Sequence, residues 1–486
     1  MHEAITTFFS SEWLYTAFAI IALGSTVVII LVILSENRNP VKSLAWVTVL
    51  LLLPVVGLIL YLFFGRSIKN TRMISRRNRR KLRRREKKSS AVPADMGLAA
   101  SSVQQINLAK SLTGAQFYDN NHIEIFTDGT SKFKSFEADL RAARKSINIQ
   151  YYIFEDDSLG NRIARILIDK VREGVNVRVI YDHVGSFSVK NRFFKYLRDN
   201  GVEIYPFFKV TFPSLATRVN WRNHRKICII DNKIGYIGGM NIADRYIDGG
   251  RKFERWRDTH LRVCGPVVDA LQYSFAVDWN FMGRGLIEEN FHSGAEESDV
   301  NGIGAVGAQL LTSGPTSQWA NIALAFHKAI ATARRRVFIQ TPYFLPTEAL
   351  LKALQSAALA HVDVRIMMPE KSDSAMLSLA SASYVEQCLK AGIKIYFYTA
   401  GMLHSKMMIV DDEIVTIGST NFDFRSFECN FEGNLFVYGS NFASAAIEVF
   451  KRDLADCRRI QPAQWRTRPL PQKFAESVVR LLSPIL

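Results

Sequence analysis

The sequence contains one short pattern of chemically active residues twice. In each copy a His, a Lys and an Asp are spaced H-x-K-x4-D; the copies are His224, Lys226 and Asp231, and His404, Lys406 and Asp411. After six intervening residues, each copy continues as Gly-x-x-Asn, ending at Asn241 and Asn421. Average residue usage gives one such motif by chance in on the order of a few per cent of chains this long. Two copies followed by the same turn indicate a duplicated functional site.

The residue types in this motif favour binding of a phosphodiester. In an extended strand, a His and a Lys two positions apart point to the same face and can bind one ligand. Two His, two Lys and two Asn amides, with no carboxylate among them, form a cationic pocket for phosphate oxygens. Asp231 and Asp411 lie an odd number of positions from the His, where the apolar strand must turn back. We therefore expect both to be turn and orienting residues away from the reacting atoms.

A nucleophilic histidine needs a partner that fixes its tautomer. Its reactive Nε2 must be unprotonated, so that Nδ1 carries the proton and a carboxylate is the usual acceptor. The strand-like stretches after the two motifs offer Asp258 and Glu432, which we predict as the histidine-orienting carboxylates. For Asp258, a surface ion pair with a nearby arginine is the alternative. Ser419 adds a hydroxyl to the second phosphate site, where the first copy has Gly239.

Strands and helices alternate in the same order before each motif. Three strand-like stretches recur about 190 residues apart: 147–154, 175–182 and 201–205 in the first copy, and 337–344, 362–369 and 392–396 in the second. Amphipathic helices between such stretches are typical of βαβ units with a largely parallel sheet. The predicted fold is α/β, with two similar halves packed against each other in one body.

The front of the chain is apolar. Residues 13–34 and 44–64 contain no charged residue and are long enough to cross a bilayer as helices. We predict a two-helix transmembrane hairpin with 35–43 as its link, in which Pro54 is tolerated. A cleaved signal peptide is the alternative, but residues 1–12 carry two Glu and no Lys or Arg.

A strongly basic run follows the apolar stretches. Arg66 to Lys88 holds 13 basic residues and one acidic residue, and so supplies +12 of the net charge of +17. This run predicts that the residues from 66 onward face the cytoplasm and that the run binds anionic lipid headgroups. Nucleic acid is the alternative partner, although the rest of the chain is nearly neutral. Residues 89–102 have the composition of a linker.

On these motifs the chain resembles the phospholipase D superfamily over about residues 110–486. Its two apolar runs, together with 182–186, 313–315 and 341–344, resemble the bacterial cardiolipin synthases. The resemblance implies a bilobal body of two phospholipase D-like α/β/α sandwich halves. It also implies a metal-free and cofactor-free transfer through a phosphatidyl-histidine, in which two phosphatidylglycerols give cardiolipin and glycerol. The first copy has Gly239 where the second copy has Ser419, and this difference argues against equal roles for the two halves.

These expectations define the domains and the location of the chain. We predict the hairpin at 1–65, the basic segment and linker at 66–102, and the two halves at 103–300 and 301–486, in a multi-pass protein of the bacterial cytoplasmic membrane. A hydrolytic phospholipase D, a phosphatidylserine synthase and, less favoured, a membrane-tethered nuclease remain alternatives. The five scattered cysteines indicate reduced core thiols and neither a disulfide framework nor a zinc site. The oligomeric state stays open.

Overall fold

The computed structural model describes residues 11–35, 40–65, 68–69, 72–85, 92, 97–210, 220–287, 302–481 and 483. Half of the predicted linker, parts of the basic run and residues 36–39 of the hairpin link lie outside these residues. The described residues divide into two compact units, Met1–Ile68 with Val210–Asn220, and the remainder of the chain.

The first unit is helical. Its elements are α1 (Ser11–Ser35), α2 (Pro40–Leu52), α3 (Pro54–Leu60) and a π-helical turn, Tyr61–Gly65. The second apolar run is therefore interrupted at Leu53, because Pro54 cannot donate a helical hydrogen bond and begins a new helix. Among the residues that the structure describes, none of the helices combines the length and hydropathy needed to cross a membrane.

The second unit begins with the basic helix α4 and contains all the strands. Its helices are α4 (Arg76–Arg85), α5 (Ala100–Thr113), α6 (Gly129–Ala142), α7 (Ser158–Arg172), α8 (Asn191–Asp199), α9 (Arg245–Asp248), α10 (Val268–Phe281), α11 (Asn321–Ala331), α12 (Glu348–Leu359), α13 (Ala375–Lys390), α14 (Phe424–Glu428), α15 (Ser440–Ala455), α16 (Pro462–Arg466) and α17 (Leu470–Leu481). Aspartates cap three of them, since Asp128, Asp157 and Asp423 accept the backbone N–H groups of Ser131, Gly160 and Ser426.

The strands up to residue 264 are β1 (Tyr118–Phe126), β2 (Ser146–Tyr151), β3 (Asn176–Asp182), β4 (Glu203–Phe207), β5 (Ile227–Ile230), β6 (Ile234–Gly238), β7 (Trp256–Arg257) and β8 (His260–Cys264). Those that follow are β9 (Ile303–Ser313), β10 (Arg336–Gln340), β11 (Phe344–Leu345), β12 (Asp363–Pro369), β13 (Lys394–Tyr398), β14 (Met402–Leu403), β15 (Met407–Val410), β16 (Ile414–Gly418), β17 (Phe422–Asp423), β18 (Glu432–Tyr438) and β19 (Cys457–Arg459). The six strands predicted from the repeat are all present, with bounds shifted by a few residues.

Fifteen of these strands form one continuous sheet. Its order is β19-β13-β12-β10-β15-β16-β18-β9-β1-β8-β6-β5-β2-β3-β4. The order reads alike outward from the central β1–β9 pair, so the repeat in the sequence becomes a symmetric sheet. Within this sheet the parallel pairs are β2–β3, β3–β4, β10–β12 and β12–β13, and the other pairs are antiparallel. The predicted largely parallel sheets are thus wrong, because each H-x-K-x4-D motif leads into an antiparallel hairpin, β5–β6 or β15–β16.

Helices cover both faces of this sheet. Alternate residues of β5 belong to different cores: Cys228 and Ile230 pack in one, and Ile227 and Ile229 in the other. The first core includes apolar residues of α6, α7, α11 and α12, and the second includes those of α10 and α15. The chain therefore has an α/β/α arrangement. Three of the five cysteines, Cys228, Cys264 and Cys388, are buried, in agreement with the predicted core thiols.

The aspartates of the two motifs close the hairpins at the far end from the histidines. Asp231 accepts the backbone N–H groups of residues 144–146 at 2.7–2.9 Å, and Asp411 those of residues 334–336 at 2.7–3.1 Å. Both have a positive φ, 54° and 53°, which Asp and Asn tolerate better than most residues. Each aspartate therefore joins the turn of its hairpin to the start of the neighbouring strand, β2 or β10.

We predict that Asp231→Ala destabilises the protein by about 1–3 kcal/mol because three N–H groups lose their acceptor. Asp231→Asn should cost less, since Asn keeps one acceptor and tolerates the positive φ. The thermal unfolding midpoint measures both, and Asp412→Ala, which removes a carboxylate paired with Arg335, is the control. An unchanged midpoint with lost activity would instead place Asp231 at the reacting atoms.

Candidate active site

The two histidine–lysine pairs lie in extended segments that each pair with the other half of the chain. His224 and Lys226 precede β5, and the backbone N–H of His224 donates to the carbonyl of Phe431 at 2.9 Å. His404 and Lys406 lie between β14 and β15, and β14 pairs in parallel with β7. The N–H of His404 donates to the carbonyl of Arg257 at 2.7 Å. Each histidine is thus bonded to the residue that directly precedes the carboxylate of the other half, Phe431 before Glu432 and Arg257 before Asp258.

The two carboxylates predicted from the sequence reach the histidines crosswise. Nδ1 of His224 lies 3.0 and 3.2 Å from the two oxygens of Glu432. Nδ1 of His404 lies 2.7 Å from Oδ2 of Asp258. Both carboxylates are fully buried. Since Nδ1 of each ring is occupied, Nε2 is the nitrogen that remains for chemistry.

The lysines fold back onto the histidines of their own motifs. Nζ of Lys226 donates to the carbonyl of His224 at 2.5 Å, and Nζ of Lys406 donates to that of His404. Nζ of Lys406 also lies 2.8 Å from Nδ1 of His404. The His and Lys side chains of each copy therefore share one face, as their spacing predicts.

Burial and mutual repulsion lower the pKa of the basic groups in the site. Burial lowers the pKa of His224 below its ordinary value, Glu432 opposes this shift, and Lys226 adds to it. Burial and the charge of Lys406 lower the pKa of His404 to about 4, against the opposing effect of Asp258. Burial also lowers the pKa of Lys226, and that of Lys406 to about 8. Both histidines are accordingly neutral at pH 7, and a bound anion would favour their protonated forms.

The predicted phosphate ligands differ in what they contact. Ser419 donates its hydroxyl to Glu432, so it lies against the carboxylate and not in a phosphate site. Asn241 accepts the N–H of Ile153 at 3.1 Å and donates to the hydroxyl of Tyr246 at 2.5 Å. The Oδ1 atom of Asn421 is buried without a hydrogen-bond partner among the described residues.

Gly239 occupies the position equivalent to Ser419 and lies against the other carboxylate. A Cβ added to Gly239 would stand 2.0 Å from Oδ1 of Asp258. Glycine at 239 is therefore the condition for Asp258 to reach His404, whereas serine at 419 supplies a hydrogen bond to Glu432. The difference between the two copies reflects how each carboxylate is packed.

Two buried arginines hold the carboxylate segments, and the sequence analysis missed both. Nε of Arg225 donates to the carbonyl of Glu432 at 3.1 Å, and Nη1 of Arg257 to the carbonyl of Asp258 at 2.7 Å. Each arginine pairs with a buried aspartate, and a glutamine donates to the same aspartate; the trios are Arg225, Asp278 and Gln150, and Arg257, Asp453 and Gln340. The two glutamines are 190 residues apart in the repeated strands. A polar residue at the same position of both repeated apolar strands could therefore have indicated these buried polar clusters from the sequence.

Aromatic rings complete the surroundings of the histidines. Tyr152 lies edge-on to His224, with ring centres 4.9 Å apart. Trp256, Tyr246 and Tyr343 lie 5.5–6.5 Å from His404. No group of three His, Cys, Asp or Glu side chains among the described residues has the arrangement of a metal site.

Comparison with known proteins agrees with this geometry. Residues 136–255 and 326–454 match the family described as cardiolipin synthase, phospholipase D-like domain. The chain belongs to the cardiolipin synthase family. Residues 20–66 match a second family, described as phospholipase D-nuclease N-terminal. The predicted membership of the phospholipase D superfamily is confirmed, and the chain is a phosphatidyltransferase of that superfamily.

Relatives cover nearly the whole chain. The major cardiolipin synthase of Bacillus subtilis (strain 168) is 39% identical over 94% of this chain and 96% of its own length. A cardiolipin synthase of Oceanobacillus iheyensis is 39% identical over the same shares of both chains. In fold, the chain is similar to the crystal structure of phosphatidylserine synthase from Haemophilus influenzae Rd KW20. That match has a TM-score of 0.60, 14% identity, and covers 79% of this chain and 100% of the other.

We predict that Gly239→Ala lowers activity by about 10²-fold or more, because the new methyl group displaces Asp258 and leaves His404 misoriented. Ser419→Ala, at the equivalent position, loses one hydrogen bond without a clash and should cost much less. Glycerol release from phosphatidylglycerol in mixed micelles measures both. Equal losses in the two variants would contradict the packing argument.

Proposed function

We propose that this enzyme transfers a phosphatidyl group from one phosphatidylglycerol to another, giving cardiolipin and free glycerol. The observation that carries this proposal is the pair of histidines, each with Nδ1 within hydrogen-bond distance of a buried carboxylate, and burial lowers the pKa of both rings. A neutral Nε2 can attack phosphorus, and one phosphodiester is then exchanged for another without a cofactor.

In the proposed order, His224 attacks phosphorus and forms a phosphatidyl-histidine, while His404 protonates the departing glycerol oxygen. His404 then accepts the proton of the incoming alcohol, and the second phosphatidylglycerol displaces His224. The negative phosphate raises the pKa of His404 in the complex and so allows it to act as an acid. Lys226 and Lys406 stabilise the additional charge on the five-coordinate phosphorus, together with Asn421 and the remaining donor capacity of Asn241. Asp258 and Glu432 orient the two rings, and Ser419 acts on Glu432.

We infer that the enzyme works at the membrane that contains its substrates. The match of residues 20–66 to an N-terminal family, the two uncharged runs and the basic run after them support membrane association. We propose that the apolar runs form a transmembrane hairpin, that the body faces the bacterial cytoplasm, and that the basic run binds anionic headgroups. At a bilayer surface the available alcohol is lipid, which favours transfer over hydrolysis.

Purified full-length protein supplied with phosphatidylglycerol alone should yield cardiolipin and glycerol, and added glycerol should reverse the reaction.

A chelator in neutral detergent should leave the rate unchanged, because lysines supply the positive charge. Acid-quenched mass spectrometry should find the phosphatidyl group on His224; His224→Ala should be inactive and exposed His327→Ala fully active.

Other products would identify the alternatives. Phosphatidic acid as the main product would favour the hydrolase, and a requirement for CDP-diacylglycerol would favour a phosphatidylserine synthase-like donor. A phosphatidyl group trapped on His404 would reverse the order of the two histidines.

The lowered pKa of His224 also predicts the pH dependence. Because the neutral form of His224 attacks, its protonation should lower kcat/KM only below pH 6.5, whereas the need for a protonated His404 should lower kcat/KM on the alkaline side, so that the profile is bell-shaped. Glu432→Gln removes the charge that raises this pKa, so the acidic inflection should move to lower pH and the plateau should fall by about 10²–10⁴-fold. Glu448→Gln, at a surface carboxylate paired with Lys451, is the control. An inflection that Glu432→Gln does not move would contradict this assignment.

A further inference from the structure

A second cationic cavity lies beside the active site, under the basic helix α4. Its volume is about 570 Å³, and its lining includes Arg72, Arg79, Arg83 and Arg225 but only one carboxylate, that of Asp278. Neither His224 nor His404 lines it. Since Asp278 is paired with Arg225 at 2.5 Å, the charge of the other three arginines is not balanced within the lining.

The basic helix is anchored in the body, so its arginines have defined positions. Leu82 is fully buried in the core beneath α10. Arg83 donates to the carbonyl of Thr113 at 3.0 Å and stacks 4.2 Å over the ring of Tyr273. Arg79 lies one turn before Arg83 and faces the same side of the helix. The basic run was predicted to bind anionic lipid headgroups, and this part of it forms one wall of a cavity.

The cavity also offers polar groups that lack protein partners. Neither Arg72 nor Arg79 forms an ion pair with any residue that the structure describes. Ser313 is only 2% exposed, and its hydroxyl has no hydrogen-bond partner among those residues. Further hydroxyl and amide side chains line the cavity, among them those of Ser111, Gln116, Thr312 and Gln318. A buried, unpaired hydroxyl within a cluster of arginines indicates a ligand with several oxygen acceptors.

We propose that this cavity is a second, non-catalytic anion site that binds the phosphate and glycerol of an anionic phospholipid headgroup. Arginine forks match the geometry of phosphate oxygens, and hydroxyl and amide groups suit the glycerol. Arg225 places the cavity next to the catalytic centre, because its Nε holds the carbonyl of Glu432 while Nη1 meets Asp278 in the lining. The choice of lipid over soluble phosphate rests on the proposed function.

Lipid counting in an inactive protein tests the site. Full-length His224→Ala in neutral detergent, titrated with dioctanoyl phosphatidylglycerol, should bind two lipids per chain by native mass spectrometry. Adding Arg72→Glu and Arg79→Glu should leave one, because charge reversal expels the anion from the cavity. Arg77→Glu and Arg84→Glu make the same charge change at positions that are equally classed as exposed but lie outside the cavity lining, and should leave two. Two lipids in both variants, or an equal loss in both, would overturn the proposal.

Two further arms separate the source of the phosphate and the two sites. If glycerol 3-phosphate or inorganic phosphate displaces the cavity lipid at equal concentration, the lipid assignment is wrong and the site binds soluble phosphate. Lys226→Ala with Lys406→Ala should remove the other lipid, which reports on the proposed catalytic site alone. Failure of the proposed function would therefore appear in the lysine variant, and failure of the cavity site in the arginine variant.

Discussion

The crossed pairing of two histidines with two buried carboxylates is the constraint that the rest of the structure serves. His224 depends on Glu432, and His404 on Asp258, so neither half of the chain contains a complete histidine–carboxylate pair. A carboxylate buried without its partner costs several kcal/mol, on the order of 3–5 for a broken buried pair. The two halves must therefore be held in one register, which the continuous sheet provides through β1, β9 and β18.

The buried arginines extend this constraint from side chains to backbone. Arg225 and Arg257 hold the carbonyls of Glu432 and Asp258, and each is fixed by an aspartate from α10 or α15. Both arginines come from the first half of the chain, although one of their aspartates belongs to the second. Charged groups at such depth require complete pairing, and that pairing fixes the positions of the carboxylates before substrate arrives.

The proposed reacting groups could be predicted from the sequence because strand periodicity places His and Lys on one face, and because a duplicated motif is not expected by chance. The turn positions of Asp231 and Asp411 could also be predicted, because each aspartate lies an odd number of residues after its histidine, where the strand ends. Which carboxylate pairs with which histidine could not be predicted. Asp258 follows the first motif in the sequence but contacts His404 of the second, and Glu432 follows the second motif but contacts His224 of the first. Nor could the sequence predict the contact of Ser419 with Glu432 or the mixed sheet, because both depend on how the hairpins pair. The break at Leu53 follows from Pro54, whose effect depends on the surroundings of the helix.

A symmetric sheet nevertheless carries an asymmetric centre. At one carboxylate a glycine leaves room for the short side chain of Asp258, which approaches His404 through a single oxygen. At the other, a serine donates to Glu432, whose two oxygens both lie near His224. Lys406 lies close to Nδ1 of His404, and after burial its charge does most to lower the pKa of that ring. At His224, in contrast, the charge of Glu432 has a larger effect on the pKa than the charge of Lys226. Two copies of one motif therefore hold their histidines in different electrostatic surroundings. In the proposed mechanism the two rings also have different roles, since one attacks phosphorus while the other carries a proton, and His404 can carry that proton only after the bound phosphate has raised its pKa.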